Sequence, residues 1–216
     1  MFMFMVIFMA SQPMLESVLE EKSQRIAEVL LGSANPSQLM TGKLLGTVAG
    51  SLTTFLIYWG GVFTITSNQG WTEFIPMGIV PWFIVFQIVG VLFYASIFMA
   101  VGASVSQLKE AQSMLLPVWM LLMAPLFVWF IIVRDPQGPL AMGFSFFPPT
   151  APTTMVLRMA TGQTIPFWQP IVALLGTLVG TLIIVVLAGR IFRVGILWQG
   201  KTPKISEILK WAFVGE

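Results

Sequence analysis

Apolar residues occur along this chain in long runs that charged residues interrupt only at intervals, and such runs predict membrane-spanning helices. The uncharged stretches give four full spans, at residues 44–66, 79–103, 111–133 and 171–189. Each is close to the roughly 20 residues that an α-helix needs to cross a hydrocarbon core of about 30 Å. We expect three prolines inside these spans to kink their helices: Pro81, Pro117 and Pro125. The pattern predicts an all-α fold, a polytopic transmembrane helical bundle that forms a single domain over residues 1–216.

The first 15 residues are also apolar, but at about 1.5 Å per residue they are shorter than the hydrocarbon core is thick. We therefore expect residues 1–15 to form a partial span, the second half of a transmembrane helix, that continues into the charged passage after it. A secretory signal peptide is the weaker alternative, because such peptides begin with positive charge.

The one densely charged passage lies at residues 16–43, before the first full span. Its apolar residues favour one side of a helix, while Glu21, Arg25 and Glu28 share the other side at i, i+4 and i+3 spacing. Because the residue before a proline is pushed away from helical geometry, Pro36 predicts an elbow, followed by a short helix over residues 37–43. A helix on the membrane surface is one interpretation. The acid-rich polar face favours a protein partner instead, since anionic lipid selects Lys and Arg.

The composition excludes several classes of function. The chain is 56% hydrophobic and 9% charged, with a mean hydropathy of +0.88, whereas soluble domains carry about 25% charged residues. It has no cysteine and no histidine, which removes disulfides, thiolate and imidazole metal ligands, and Ser-His or Cys-His nucleophile pairs. No predicted span carries a charge in its middle, so nothing resembles a proton relay. We expect no metal site, no nucleic-acid partner and no covalent chemistry.

Basic residues are divided unequally between the two sides of the predicted spans. The richer side holds Lys22, Arg25, Lys43, Lys109, Arg190, Arg193, Lys201, Lys204 and Lys210, and the other side holds Arg134 and Arg158. Since Lys and Arg concentrate in cytoplasmic loops, we expect the charged passage and a tail at residues 190–216 to be cytoplasmic, in a multi-pass protein of the inner or plasma membrane.

Residues 134–170, between the last two spans, hold half of the 14 prolines and yet remain apolar. We predict an outer re-entrant segment that dips into the bundle, with a short helix from about Thr153 to Thr161 that carries Arg158. An aromatic-rich loop that lies on the headgroups is the alternative. Arg158 is then a gate residue or a fold-locking hydrogen-bond donor, and pairing with a lipid headgroup is the competing interpretation.

Glycines recur at four-residue spacing in two of the spans. These steps are formed by Gly42, Gly46 and Gly50, and by Gly176 and Gly180. Small residues at this spacing let helix backbones approach closely. The contact predicted here is packing within one subunit or a seam between two subunits, and the spacing alone does not distinguish them.

The stretch from Gly195 to Thr202 matches the phosphate-binding pattern GxxxxGK[ST]. A working phosphate loop needs a buried strand before it and a helix after it. Here a membrane span precedes the pattern and Pro203 follows it, so we interpret the match as chance and expect no nucleotide to bind this chain.

Four passages of the sequence resemble one transporter family. The segment EEKSQRIAEVLLGSANPSQLMTGKLLG, from Glu20 to Gly46, resembles type-2 ATP-binding-cassette (ABC) exporter permeases, especially the sodium-export-permease-like branch. VGASVSQLKEAQS, FPPTAPTTMVLRMATG and the tail RIFRVGILWQGKTPKISEILKW are similar to further passages of that family. The resemblance implies six spans and an outer domain, and this chain lacks the first span and that domain. We therefore expect a fragment, a mis-assigned start, or half of a split permease.

The resemblance also implies partners and residue roles. A separate ATPase subunit would bind ATP and magnesium, and a second permease copy or a homologous permease would complete the pathway. The ATPase-coupling interface would comprise Glu20, Glu21, Lys22, Arg25, Glu28, Pro36 and Lys43. The outer gate segment would contain Pro148, Thr150, Pro152 and Arg158.

The resemblance thus implies a permease subunit that would couple ATP hydrolysis by its partner to efflux of an ion or small molecule. Sodium, an organic cation, a peptide or a lipid would all suit an apolar pathway. An ATP-independent secondary transporter or channel is one alternative, and a non-transporting membrane assembly subunit is another.

Overall fold

The computed structural model describes residues 1–24, 26, 35–70, 77–198 and 205–214. Throughout these residues every regular element is helical, which confirms the all-α prediction. In chain order the helices are α1 (Phe2–Ser23), α2 (Pro36–Asn68), α3 (Val80–Ser104), α4 (Leu108–Phe127), α5 (Trp129–Arg134), α6 (Pro139–Phe146), α7 (Ala151–Met159), α8 (Trp168–Gly195) and α9 (Ile205–Val214). Among the described residues, five stretches are long and apolar enough to cross a membrane, namely α1, α2, α3 with the 3-10 turn before it, α4 with α5, and α8.

The first two helices differ in extent from the sequence prediction. α1 is continuous from Phe2 to Ser23, so the predicted partial span and the start of the charged passage form one helix of crossing length. α2 begins at Pro36, and the N–H that this proline lacks would have no partner within the helix at that position. The Gln38 side chain accepts a hydrogen bond from the Asn35 N–H at 3.1 Å. The predicted short helix over residues 37–43 is the first part of α2. Gly42 alone does not end it, because one glycine costs a helix only about 1 kcal/mol.

Prolines act differently in two of the spans. Pro81 lies in the first turn of α3, where backbone N–H groups have no partner within the helix, so the predicted kink there is wrong. Pro117 and Pro125 lie inside α4, which ends at Phe127 before α5 resumes the same span.

The long helices alternate in direction and give the molecule two distinct ends. α1 and α2 are antiparallel: Lys43 near the start of α2 contacts Ser17 near the end of α1, and the Phe2 and Tyr58 rings lie 5.6 Å apart at the other end. Helices α1, α3 and α8 end on the same side of the molecule, and we call this side the charged end. The opposite end, which carries α5, α6 and α7, is the proline-rich end.

α3 is the central helix of the bundle and packs against α1, α8, α2, α4 and α7. Phe86, Tyr94 and Phe98 on it are fully buried. By contrast, α2 and α8 expose rows of large apolar side chains, as expected of helices whose outer faces are solvated by lipid. α3 therefore runs through the core from one end of the molecule to the other.

Candidate functional site

Lys43 joins the first two helices at the charged end. Its Nζ lies 2.6 Å from Oε1 of Glu21 and donates to Oγ of Ser17 at 2.7 Å. Both charged side chains are largely shielded, with exposed fractions of 15% for Lys43 and 21% for Glu21. Charge-assisted hydrogen bonds of this kind are shorter and stronger than neutral ones. Two residues that the sequence assigns to the coupling interface therefore form one ion pair between α1 and α2.

A second junction forms around the carbonyl of Ala103 at the end of α3. Lys22 on α1 donates to this oxygen at 2.6 Å. Gly195, the last residue of α8, lies so close that a Cβ built on it would be 2.9 Å from the same oxygen. A Cβ on the preceding residue of α3, Gly102, would lie 3.1 Å from the Leu15 carbonyl oxygen of α1. The ends of α1, α3 and α8 thus meet at backbone contact distance.

The other predicted coupling residues are less constrained. Glu20 is exposed and accepts a hydrogen bond from Gln24 on the same helix. Pro36 is half-buried at the start of α2. Arg25 and Glu28 lie outside the described residues, so their spacing relative to Glu21 stays a prediction. Glu21 keeps a buried Oε2 that no described residue donates to.

At the proline-rich end, prolines pack into glycine notches on two long helices. A Cβ built on Gly90 of α3 would lie 3.2 Å from Cβ of Pro152, and one on Gly180 of α8 would lie 2.9 Å from Cβ of Pro148. The Tyr94 hydroxyl donates to the Pro149 carbonyl at 2.8 Å. The helix predicted at about Thr153 to Thr161 corresponds to α7, two residues earlier.

Thr150 fixes the turn between α6 and α7. Its hydroxyl is buried and donates to the carbonyl of Phe144 at 2.6 Å, with the Phe147 carbonyl at 3.2 Å. The Phe144 carbonyl belongs to the last turn of α6, where helix carbonyls lack partners within the helix, and Phe147 is the C-cap residue of that helix. Thr150 therefore holds the segment that carries Pro148 and Pro152 in one conformation.

Arg158 is fully buried and ties three parts of the proline-rich end together. Nε donates to the Pro136 carbonyl at 2.6 Å, and Nη2 donates to Oε1 of Gln169 on α8 at 2.6 Å and to Oε1 of Gln137 at 3.4 Å. A guanidinium stays protonated in proteins, so a full positive charge is held here by neutral acceptors. With no exposed surface on Arg158, this geometry supports the fold-locking interpretation and not pairing with a lipid headgroup.

Comparison with known proteins identifies the family. A family model described as ABC-2 family transporter protein matches residues 1–187. The chain belongs to the ABC-2 transporter family. It is 30% identical to the uncharacterized protein YhaP of Bacillus subtilis (strain 168) over 95% of this chain and 51% of that protein. It is 25% identical to the uncharacterized protein MJ1024 of Methanocaldococcus jannaschii over 98% of this chain and 52% of that protein.

The ABC-2 chain thus spans about half the length of these two relatives. No solved structure matches it. The resemblance to type-2 ABC exporter permeases is confirmed at the level of the family, and the membership supports a multi-pass membrane protein of a transport system.

The glycine steps of this ABC-2 protein have different surroundings. Gly180 makes a close approach, to Pro148 rather than to another long helix. A Cβ built on each of four others would meet no described atom within 4 Å: Gly42, Gly46, Gly50 and Gly176. Packing of these four within the subunit is therefore not seen in the described chain, and a seam between subunits stays a prediction. Gly46 and Gly50 line an open cleft of about 480 Å³ between α1 and α2.

The stretch that matches the phosphate-loop pattern is described as far as Trp198. Gly195 is the last residue of α8, whereas a phosphate loop leads into the start of a helix. Within the described residues, no group of three or more Asp or Glu side chains is placed to hold a metal ion.

Sequence reasoning missed the partners of the residues that it selected. Gly90 carried no signal beyond being a small residue in an apolar run. Gly102 and Ala103 lie in the passage VGASVSQLKEAQS, but its resemblance to the family did not indicate what they contact. Tyr94 was a better clue, since a hydroxyl in the middle of a predicted span needs a hydrogen-bond acceptor. Gln169, at the start of the last span, was a similar clue to the partner of Arg158.

Proposed function

We propose that this ABC-2 family chain is the membrane permease component of an ATP-driven exporter, and that its charged end receives movement from a separate ATPase subunit. The observation that carries the proposal is the joining of four helix ends there. The Lys43–Glu21 ion pair ties α2 to α1, and the Ala103 junction ties α1 to α3 and α8. A displacement applied to the end of α1 is therefore transmitted to all four helices.

The proposed partners follow from the same geometry and from the family. The ATPase, with ATP and magnesium, would dock on the cytoplasmic face formed by Glu20, Glu21 and Lys22, together with the neighbouring residues that the structure does not describe. A second permease copy or a homologous permease would flank the pathway. The greater number of basic residues at the charged end favours a cytoplasmic position for this end and for α9.

The outer gate would be the segment that contains α6 and α7. Because α3 and α8 carry both the Ala103 junction and the glycine notches, they connect the two ends directly. Residues 90 and 103 of α3 are about 20 Å apart along the helix axis. Coupling would then be a difference in contact free energy between a closed state, in which Pro148 and Pro152 occupy their notches, and an open state.

The proposed cargo is an ion or small molecule, with sodium as the first candidate because the charged passage resembles the sodium-export branch. The alternative is an ATP-independent secondary transporter or channel. Such proteins mark their pathway with charged residues at membrane depth, and the middle of each predicted span in this sequence carries none. This observation favours transport powered by a partner.

A charge-exchange series at the ion pair tests the proposal. Glu21→Lys and Lys43→Glu each place like charges in contact, whereas the double variant restores an ion pair with reversed polarity. In proteoliposomes that contain the permease and its ATPase, we expect each single variant to lower permease-stimulated ATP hydrolysis and ATP-driven sodium efflux several-fold. The double variant should recover a substantial part of both.

Lys109→Glu is the matched control, because it reverses an exposed lysine at the same end outside the ion pair. Thermal unfolding of each purified variant separates loss of coupling from loss of folding. If both single variants folded and stimulated the ATPase like the wild type, the charged end would not be the coupling surface. If the permease moved sodium at full rate without the ATPase, the exporter proposal would be wrong.

A further inference from the structure

A second cleft, of about 530 Å³, opens at the charged end between the start of α2, the end of α8 and the tail helix α9. Arg190 and Arg193 of α8 line it, together with the hydroxyl-bearing side chains of Ser37 and Thr41 at the start of α2. Within the described lining there is no acidic residue, so this cleft has a positive electrostatic character.

The two arginines are available to bind an anion. Both are exposed, and neither forms a salt bridge with a described carboxylate. One nitrogen of Arg190, Nη1, lies 3.2 Å from the carbonyl oxygens of Ala212 and Phe213 on α9, which orients its guanidinium beside the cleft. Arginine presents a planar set of donors that matches the oxygens of a phosphate group.

The opposite part of the cleft is apolar and continues along the surface of the bundle. Met40, Val185, Val186 and the exposed ring of Phe213 form its walls. From Val186 an exposed apolar row continues along one face of α8, at a spacing of three and four residues, through Leu182, Val179 and Leu175. The same face carries Arg190 and Arg193 one and two turns beyond Val186.

The length of this row matches one leaflet of a bilayer. Residues 175 to 186 cover about 17 Å along a helix axis. That is close to half of a hydrocarbon core of about 30 Å. A positive cleft at the membrane boundary, joined to an apolar row one leaflet long, is complementary to a phosphate headgroup with an acyl chain attached.

We infer that this cleft binds one anionic phospholipid, with its phosphate between Arg190 and Arg193 and an acyl chain along the exposed row of α8. Basic pockets between membrane helices are a recognised form of lipid-headgroup site. The lipid would join α9 to α2 and α8 beside the charged end. The inference needs only a membrane-embedded chain and does not depend on the transport proposal.

Native mass spectrometry of the full chain in detergent micelles tests the inference, with phosphatidylglycerol as the anionic probe and phosphatidylcholine as the zwitterionic one. We expect phosphatidylglycerol to bind more tightly than phosphatidylcholine. Arg193→Gln should weaken phosphatidylglycerol binding about five-fold, and Arg190→Gln with Arg193→Gln roughly 25-fold, as expected for the loss of one and two basic residues beside anionic lipid. Arg193→Gln keeps the Arg190 contacts to α9, so it carries the test if the double variant does not fold.

Lys109→Gln with Lys210→Gln is the matched control, since it removes two exposed positive charges at the same end outside the cleft. It should change phosphatidylglycerol binding less than two-fold. Equal binding of the two lipids, an equal loss in the control, or unchanged binding in the arginine variants would each overturn the inference. If Arg193→Gln dissociated a dimer and left lipid binding unchanged, the cleft would be an interface with a second copy of the chain. That result would also overturn the inference.

Discussion

At the scale of single residues, Arg158 shows how a charged side chain can stabilise an apolar segment. Its guanidinium reaches the chain before α6 and the start of α8 while the residue itself belongs to α7. Lysine lacks the planar set of donors that serves several acceptors at once, so this position uses a specific property of arginine. The arrangement explains why residues 134–170 can be both rich in proline and ordered.

Replacement of Arg158 should destabilise the protein. Arg158→Met leaves the Pro136 carbonyl and Oε1 of Gln169 buried without this donor, and each such group costs about 1–3 kcal/mol. Removal of the buried charge offsets part of this cost, so we expect a net loss of roughly 2–4 kcal/mol. Arg158→Lys should recover only part of it. Thermal unfolding in detergent measures the effect.

Gln137→Ala is the comparison for this prediction, because Gln137 meets Arg158 and Gln169 only at 3.4 Å. It should lower stability by about 1 kcal/mol or less. Equal effects of Arg158→Met and Gln137→Ala would contradict the central position that we assign to Arg158.

At the scale of elements, shape complementarity positions the segment that contains α6 and α7, in addition to the hydrogen bonds of Arg158. Pro148 and Pro152 occupy notches that only glycine leaves open, on two different long helices. The Tyr94 hydroxyl adds one hydrogen bond beside these contacts. Since well-packed interfaces resist gradual deformation, the segment should move as a unit or stay in place.

Filling a notch should therefore weaken this contact. Gly180→Ala puts a methyl group 2.9 Å from Cβ of Pro148, and we expect a loss of about 1–3 kcal/mol in stability. Gly176→Ala, one turn earlier on α8, meets no described atom and should be neutral or stabilising by up to about 1 kcal/mol through helix propensity. Comparison of the unfolding temperatures of the two variants tests this prediction. A stable Gly180→Ala protein would show that the notch is not tight.

At the scale of the whole molecule, the crossing-length stretches of the described chain place the described basic residues on two ends in unequal numbers. Lys22, Lys43, Lys109, Arg190, Arg193 and Lys210 lie towards the charged end, and Arg134 and Arg158 towards the proline-rich end. This distribution agrees with the one drawn from the sequence. It predicts an orientation in the membrane, which the fold by itself does not specify.

Single-cysteine labelling measures that orientation, and the chain contains no native cysteine to interfere. Lys109 and Gln163 are exposed and lie at opposite ends. In intact cells we expect a membrane-impermeant maleimide to modify Gln163→Cys, and to modify Lys109→Cys only after the cells are lysed. The reverse pattern would place the charged end outside and would exclude an ATPase partner there.

Several features could be predicted because they depend on local sequence. Runs of apolar residues determine where a helix can cross, and Asn35-Pro36 determines where α2 begins. The helix that carries Arg158 was also predicted, to within two residues. Pro81 was misjudged because the sequence does not show whether a proline falls in the first turn of a helix or inside it. The short helix predicted over residues 37–43 is continuous with the span after it, because one glycine, Gly42, costs a helix only about 1 kcal/mol.

The sequence by itself determined the all-α membrane class, the position of the crossing helices, the family, and the choice of Lys43, Glu21 and Arg158 as residues of interest. Only the tertiary structure decided what these residues contact. Lys22 donates to the carbonyl of Ala103, 81 positions away, and Gly180 of α8 contacts Pro148, which lies between α6 and α7. Hydrophobic periodicity is a property of residues that are close in sequence. These contacts depend instead on which helices lie side by side and on how far each is offset along its axis relative to its neighbour. That arrangement is set by packing of the whole bundle.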